Sequence, residues 1–407
     1  MATTTSADSK RGWRTWPRPW RVAIRATLAL AMLVVVFHVA GGWYFASQID
    51  NRALSGQARR DSLTPSYNAD VVAVADGSVT LRQPGERRLT RDGIFGIAWD
   101  GGWGTVGTIL STGYTGTVTR QYEHHAGSQL AVGMRATLTS HVYEGDPLSG
   151  RGLPFENVTY TGELGQYPAW YIPGTRDTWF VFVHGNGMRL GDSLRILPAV
   201  VGAGYPVLAP AYRNDPGAPE DPGGRLSYGK HEWRDLEAAV QYALDHGARS
   251  VVIEGVSMGG AVTVAFLLES PLATRVSGVI LESPLLDFEA ALEYQAGDEA
   301  LPLIGLPLPP TLVDAAEWFA ARRFSVDWWY TDYLSRLDRL NAPTLLIHGG
   351  DDDDVPVATS QTFAERRPDL VRDFWIVPGA AHVEGWNADP AEYERRVVAF
   401  LTESAAR

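Results

Sequence analysis

The segment Val251-Val-Ile-Glu-Gly-Val-Ser-Met-Gly-Gly260 constrains the fold of this chain more than any other. An apolar run ends, Gly255-x-Ser257-x-Gly259 follows, and an apolar helical stretch begins at Ala261. A serine at a sharp strand-to-helix turn needs a strained backbone and neighbours nearly free of side chains. Gly255 and Gly259 supply that room, and Gly260 lets the helix pack close to the sheet. The turn lifts Ser257 Oγ to a helix N-terminus, where main-chain amides favour a developing negative charge. Ser257 therefore reads as a nucleophile and the amide of Met258 as an oxyanion donor.

The flanking pattern agrees. Val158–Thr161, Ala169–Ile172, Trp179–Val183, Val207–Ala209, Val251–Glu254, Val279–Glu282, Thr344–His348 and Phe374–Val377 read as strands. Glu232–Asp245, Ala261–Leu268 and Ala391–Thr402 read as helices. Apolar strands alternating with helices predict an α/β class with a mostly parallel sheet covered on both faces. The stretch 285–340, rich in Pro, Leu and aromatics, interrupts the alternation. It predicts either a lid over the active site or a helical crossover with a Pro-rich entry.

Three further segments carry chemistry. His184-Gly-Asn-Gly187 follows an apolar strand, so a main-chain amide there can face a substrate carbonyl. Asn186 is the expected donor, with Gly187 as the alternative, and His184 is expected to organise the loop. Thr344-Leu-Leu-Ile-His-Gly-Gly-Asp-Asp-Asp-Asp-Val-Pro356 ends a strand in four acids, Asp351 to Asp354. One of them can orient an imidazole and stabilise its charged form. Pro378-Gly-Ala-Ala-His382 follows the last strand, and His382 can take the Ser257 proton as general base. If none of the four Asp served, Glu282 or Asp287 would be the next carboxylates to consider.

With these residues in hand, positions from about 155 to 401 resemble the α/β-hydrolase superfamily. They are most similar to its bacterial serine esterase and peptidase-like members, with an HGxG loop and a GxSMGG elbow. In that family the acid lies in HG-x-x-D-x-x-VP. Laid on His348-Gly349 and Val355-Pro356, this implies Asp352. The tail Gly379-x-x-His382, Trp386-Asn387-x-Asp389-Pro390 and Tyr393 is similar to the family's histidine loop and closing helix. The resemblance implies a serine hydrolase acting on an ester, thioester or related acyl bond, without metal or organic cofactor. A peptidase or amidase of the prolyl-oligopeptidase-like type would use the same residues. A non-catalytic, membrane-tethered binding protein is the reading from another class.

The N-terminal third gives an address. Ala26 to Ala46 holds no Asp, Glu, Lys or Arg. As a helix it spans about 31 Å, close to the ~30 Å of a hydrocarbon core. Lys10, Arg11, Arg14, Arg18, Arg21 and Arg25 precede it against Asp8 alone. Trp13, Trp16 and Trp20 flank one end, Trp43 and Tyr44 the other. The positive-inside rule then predicts a cytoplasmic tail at 1–25, a transmembrane anchor at 26–46, and an extracytoplasmic body. A cleaved signal peptide with Ala40 and Gly42 before the cut is the alternative. His38 within the anchor reads as a tolerated neutral side chain. A stalk is expected at 47–69 and a β-rich module at 70–150, with strands at Val71–Ala75, Ser78–Arg82, Ile94–Ala98, Thr105–Leu110, Thr115–Tyr122 and Met134–Tyr143, several of them separated by Gly- and Asp-rich turns. The hydrolase domain is expected at 151–407. His124-His125 is placed in a loop of the module, with metal binding a minor reading. The chain has no Cys, which excludes disulfides and a Cys nucleophile. A net charge of -12 argues against a nucleic-acid partner. The expected partners are a small-molecule or peptide acyl substrate and, through residues 26–46, the membrane. The first 150 residues add nothing to the catalytic case.

Overall fold

The computed structural model describes residues 16–56, 66–83, 85–114, 116–187, 189–297, 299–302 and 304–405. The basic tail before residue 16, residues 57–65 of the expected stalk, and the start of the fifth expected strand at Thr115 lie outside them.

The described chain divides into two compact units. The first combines the N-terminal helix α1 (Arg18–Ile49) with Ala300–Val326. Helix α1 extends beyond the apolar run at both ends. Among the described residues it is the one helix long and apolar enough to cross a membrane, a test that a signal sequence also passes. Leu312, Ala315 and Phe319, from the helix Pro310–Phe324, pack where α1 presents Gly41 and Gly42. The Arg323 guanidinium lies 3.6 Å from the centre of the Trp43 ring and donates to Ser47 Oγ at 2.9 Å. His38 Nε2 meets Thr311 Oγ1 at 2.9 Å, so a hydrogen bond satisfies the polar side chain inside the apolar run. Of the stretch 285–340, residues 300–326 group with α1 in this unit, while 285–299 and 327–340 group with the second.

The second unit holds two sheets. The strands β1 (Ala69–Ala75), β2 (Ser78–Arg82), β3 (Phe95–Trp99), β4 (Gly102–Thr112), β5 (Thr117–Gly127) and β6 (Arg135–Thr139) close into an antiparallel barrel, in the order β1-β2-β5-β4-β3-β6. Two-residue Asp-Gly turns join β1 to β2 and β3 to β4, with Gly77 and Gly101 at φ +67° and +74°. Alternate residues point inward, so Val79, Leu81, Phe95, Ile97, Trp99, Val106 and Val118 fill the barrel. His124-His125 lies on β5 rather than in a loop, and His125 Nε2 meets Thr105 Oγ1 across the strands at 3.0 Å.

The other sheet comprises β7 (Glu156–Gly162), β8 (Gly165–Ile172), β9 (Thr178–Val183), β10 (Val207–Pro210), β11 (Ser250–Val256), β12 (Val276–Glu282), β13 (Thr344–Gly349) and β14 (Val371–Val377). Its order is β14-β13-β12-β11-β9-β10-β8-β7. Only the β7–β8 and β8–β10 pairings are antiparallel. Every residue of β9 and β13 is buried, as strands covered on both faces require. Helices α2 (Trp233–Asp245), α3 (Met258–Glu269), α4 (Phe288–Ala296) and α5 (Pro390–Ala405) accompany this sheet. In α2, Leu236, Ala239, Val240 and Ala243 are buried at helical spacing.

The expected stalk is not free along its described part. Residues 50–54 form a π-helical turn. Leu226 then donates its N–H to Leu54 O at 2.7 Å, and Gly56 donates to Gly224 O at 3.0 Å. Unpaired main-chain groups find partners on the body, which a polar composition alone does not reveal.

Candidate active site

Strand β11 delivers Ser257 to the start of α3. Ser257 has φ +54° and ψ -119°, a conformation rare for a residue with a side chain. Its surroundings fix it there: Ser257 N–H donates to Glu282 O at 2.9 Å, and Leu285 N–H donates to Ser257 O at 3.1 Å. The glycines have the expected steric reason. A Cβ on Gly259 would collide with Val183 O, and one on Gly255 would lie 2.5 Å from Thr263 Oγ1. One on Gly260 would lie 2.7 Å from Pro284 Cβ.

The histidine loop after β14 brings His382 Nε2 to 2.8 Å from Ser257 Oγ. On the other side, His382 Nδ1 stands 2.9 Å from Asp352 Oδ2 and 3.1 Å from Oδ1. An ionised carboxylate only accepts, so Nδ1 carries the proton and the Nε2 lone pair faces the Ser257 hydroxyl. Ser257 is 9% exposed, and the His382 side chain retains 16% exposure. The dyad can therefore be reached from solvent, while the acid behind it is sealed.

Among the four acids, Asp352 is the buried one. Its Oδ1 accepts from Val355 N–H at 2.8 Å and Asp354 N–H at 3.0 Å. Its Oδ2 lies 3.2 Å from His348 Nε2. Helix α4 supports the same loop: Tyr294 Oη donates to Asp352 O at 3.0 Å and Gln295 Nε2 donates to Asp354 O at 2.9 Å. Burial alone would raise the Asp352 carboxyl, but the His382 charge and hydrogen bonds from His348 and His382 hold it well below the usual carboxylate range. Burial likewise opposes charge on His382, yet Asp352 outweighs it and raises the imidazole above its ordinary value.

His348 has a role that sequence reasoning missed. Its Nδ1 meets Ser360 Oγ at 2.8 Å and its Nε2 meets Val355 O at 3.0 Å. The carbonyl requires a proton on Nε2, which aims that N–H toward the Asp352 carboxylate as well. The position stood in the motif only as a register mark. The fallback acids are committed elsewhere. Glu282 accepts from Arg195, from Tyr393 Oη at 2.9 Å and from Gly385 N–H at 3.2 Å. Asp287 caps α4 by accepting from Ala290 N–H at 3.0 Å.

The loop after β9 carries the remaining expected residues. His184 is fully buried, with Nε2 at 2.8 Å from Asp215 Oδ2 and its ring stacked on Tyr212 at 4.5 Å. It organises the loop, as expected. Asn186 lies two residues on, its Nδ2 at 3.5 Å from both Ala53 O and Tyr228 Oη. Gly187 has φ +69°. Met258 is the first residue of α3, so its N–H is not used by the helix ladder.

A family model for the alpha/beta hydrolase family matches residues 180–396. The chain belongs to this family. The alpha/beta hydrolase match runs from within β9 into the first half of α5 and so contains Ser257, Asp352 and His382. A second model, for a domain of unknown function, matches residues 70–139, the extent of the barrel. The chain is 26% identical over 223 residues to the uncharacterized protein YqkD of Bacillus subtilis, covering 54% of this chain and 70% of that one. It is 27% identical over 248 residues to the uncharacterized protein Rv2307c of Mycobacterium tuberculosis, covering 58% and 75%. Among solved structures, the Pyrococcus furiosus esterase Pf2001 superposes with a TM-score of 0.51 at 22% identity. That match covers 65% of this chain and 95% of the esterase, and it establishes the shared hydrolase fold.

Proposed function

We propose that this alpha/beta hydrolase cleaves an ester, thioester or related acyl bond through an acyl-Ser257 intermediate. The observation that carries this reading is the unbroken chain from Ser257 Oγ through His382 to Asp352, at 2.8 and 2.9 Å. His382 Nε2 takes the hydroxyl proton as Oγ bonds to the carbonyl carbon. The carbonyl electrons move onto oxygen, and the amides of Met258 and Asn186 receive that oxyanion. Collapse expels the alcohol or thiol, which leaves with the proton from His382. Water then repeats the sequence on the acyl-enzyme and frees the acid and Ser257. A panel of nitrophenyl esters and peptide anilides tests the bond class. Turnover of esters is expected; turnover of anilides alone would assign the site to amide chemistry instead.

The pH dependence has a definite sign. Protonated His382 cannot accept the serine proton, so activity falls as pH drops through its pKa. Asp352 holds that pKa above the ordinary 6.5. The acid limb of kcat/KM should therefore have its midpoint above 6.5 and a slope of one. A profile flat down to pH ~5 would mean another group is the base.

The membrane reading also belongs here. With the excess of basic residues before the apolar run, α1 anchors the chain with its N-terminus in the cytoplasm and the hydrolase outside. Protease added to intact cells should digest the hydrolase domain. Protection until the membrane is broken would reverse the orientation, and a mature N-terminus near residue 43 would identify a cleaved signal.

A further inference from the structure

The barrel matches a domain of unknown function, and the turn between its β2 and β3 contacts the loop that carries His382. Glu384 lies two residues after His382 and is 1% exposed. Its Oε1 accepts from Arg88 Nε at 2.7 Å and its Oε2 from Arg91 Nη1 at 3.1 Å. Both arginines stand on the turn between β2 and β3. The same carboxylate accepts from Ala381 N–H at 3.3 Å, while Glu384 N–H donates to Ala381 O at 3.2 Å. Side chain and main chain thus close the turn that carries His382. Between them sits Val383 at φ +58°, a left-handed conformation that a β-branched residue avoids. Such strain persists only where the surroundings enforce it.

A second attachment follows directly. Asn387 Nδ2 donates to Ile94 O at 2.7 Å and to Ser140 O at 2.9 Å, and Ile94 N–H donates to Asn387 O at 2.9 Å. The turn also reaches the acid loop, with Arg87 3.4 Å and Arg91 3.9 Å from Asp353.

The turn has its own support inside the barrel. Arg120 on β5 is fully buried. It donates to the carbonyls of Arg88 at 2.9 Å, Leu89 at 3.2 Å, Arg91 at 2.8 Å, Gly93 at 2.8 Å and Gly107 at 2.8 Å. Burial lowers its pKa only to about 10, so it stays charged at neutral pH.

We infer that the barrel positions the catalytic base: Arg120 shapes the 87–93 turn, and Arg88 and Arg91 on that turn hold Glu384 and the loop carrying His382. The inference rests on the serine-hydrolase reading proposed above. Arg88, Arg91, Arg120 and Glu384 are positioning residues that act through His382. Truncating both turn arginines leaves Glu384 buried without its cations, so the loop must rearrange to hydrate it. Displacement of the base by a fraction of an ångström slows proton transfer and leaves substrate binding in place.

The test uses the full chain and two readouts: nitrophenyl-ester kinetics, and the rate at which a fluorophosphonate probe phosphonylates Ser257 with loss of fluoride. In R88A/R91A, kcat and the labelling rate should fall about 10- to 100-fold with KM within about twofold. R88K/R91K should recover part of the loss. E384Q removes the buried carboxylate and leaves Arg88 and Arg91 on a part-exposed turn, with Arg91 still beside Asp353, so it keeps the measurement available if R88A/R91A does not fold. It should lose about 10-fold in the same pattern. R82A removes the exposed Arg82–Asp70 pair elsewhere on the barrel and should behave as wild type. Wild-type rates in both R88A/R91A and E384Q, or an equal loss in R82A, would overturn the inference. Failure of the wild-type chain to label would instead overturn the serine-hydrolase reading, and this inference with it.

Discussion

Replacing Ser257 with Ala is expected to lower ester turnover on the order of 10³-fold or more and to leave the fold intact. The loss is large because no other hydroxyl shares the position. The hydroxyl that His382 Nε2 contacts belongs to Ser257, held at φ +54° by main-chain bonds that do not involve its side chain. Removing one oxygen at a 9% exposed position deletes the proposed nucleophile without disturbing the elbow that presents it. His382→Ala should show a loss of the same order, since the hydroxyl then has no base. Residual activity in either variant would come from binding and oxyanion stabilisation alone. Wild-type turnover in either, measured with nitrophenyl esters, would rule out the mechanism.

Asp352→Asn should cost roughly 10²–10⁴-fold in turnover, while Asn at Asp351, Asp353 or Asp354 should cost little. The four acids differ in surroundings rather than chemistry. Asp352 is buried and bonded to His382, His348 and two main-chain N–H groups. Asp351 and Asp354 are exposed. Asp353 pairs with Arg87 and Arg91 at 3.4 and 3.9 Å from a half-exposed position. An amide at 352 cannot stabilise the imidazolium that forms during attack, and it allows the wrong imidazole tautomer. Four single variants assayed side by side check this. An active Asp352→Asn beside an inactive neighbour would shift the acid by one register.

The residues of the candidate triad were legible because each follows its own strand in a short segment of distinctive chemistry. Gly255, Gly259 and Gly260 mark a close approach of main chain to main chain, a constraint written locally. Asp352 required the frame set by His348-Gly349 and Val355-Pro356, because four identical residues carry no internal distinction. The six strands of the β-rich module were also readable, from short runs of β-branched and aromatic residues bounded by Gly- and Asp-rich turns. Their closure into a barrel was not, since it depends on the β1–β6 and β3–β6 pairings, which join segments distant in sequence.

The longest-range features were silent for the same reason. Arg88 and Glu384 are separated by 296 positions, and nothing near either one announces the other. The packing of Pro310–Phe324 along α1 joins segments more than 250 residues apart, so a Pro- and Leu-rich stretch read only as a lid or a crossover. Arg120 did leave a signal. It falls on the inward face of β5, two residues after buried Val118, where alternation calls for an apolar side chain. A charged residue at such a position marks a structured set of acceptors, here five carbonyl oxygens.

The most direct measurement of the central claim is mass spectrometry of the full chain after reaction with a fluorophosphonate probe, with the adduct mapped to a peptide. The expected result is a single adduct on the Ser257 hydroxyl, absent from Ser257→Ala and formed far more slowly in His382→Ala and Asp352→Asn. No adduct on the folded wild-type chain, or an adduct that persists in Ser257→Ala, would contradict it.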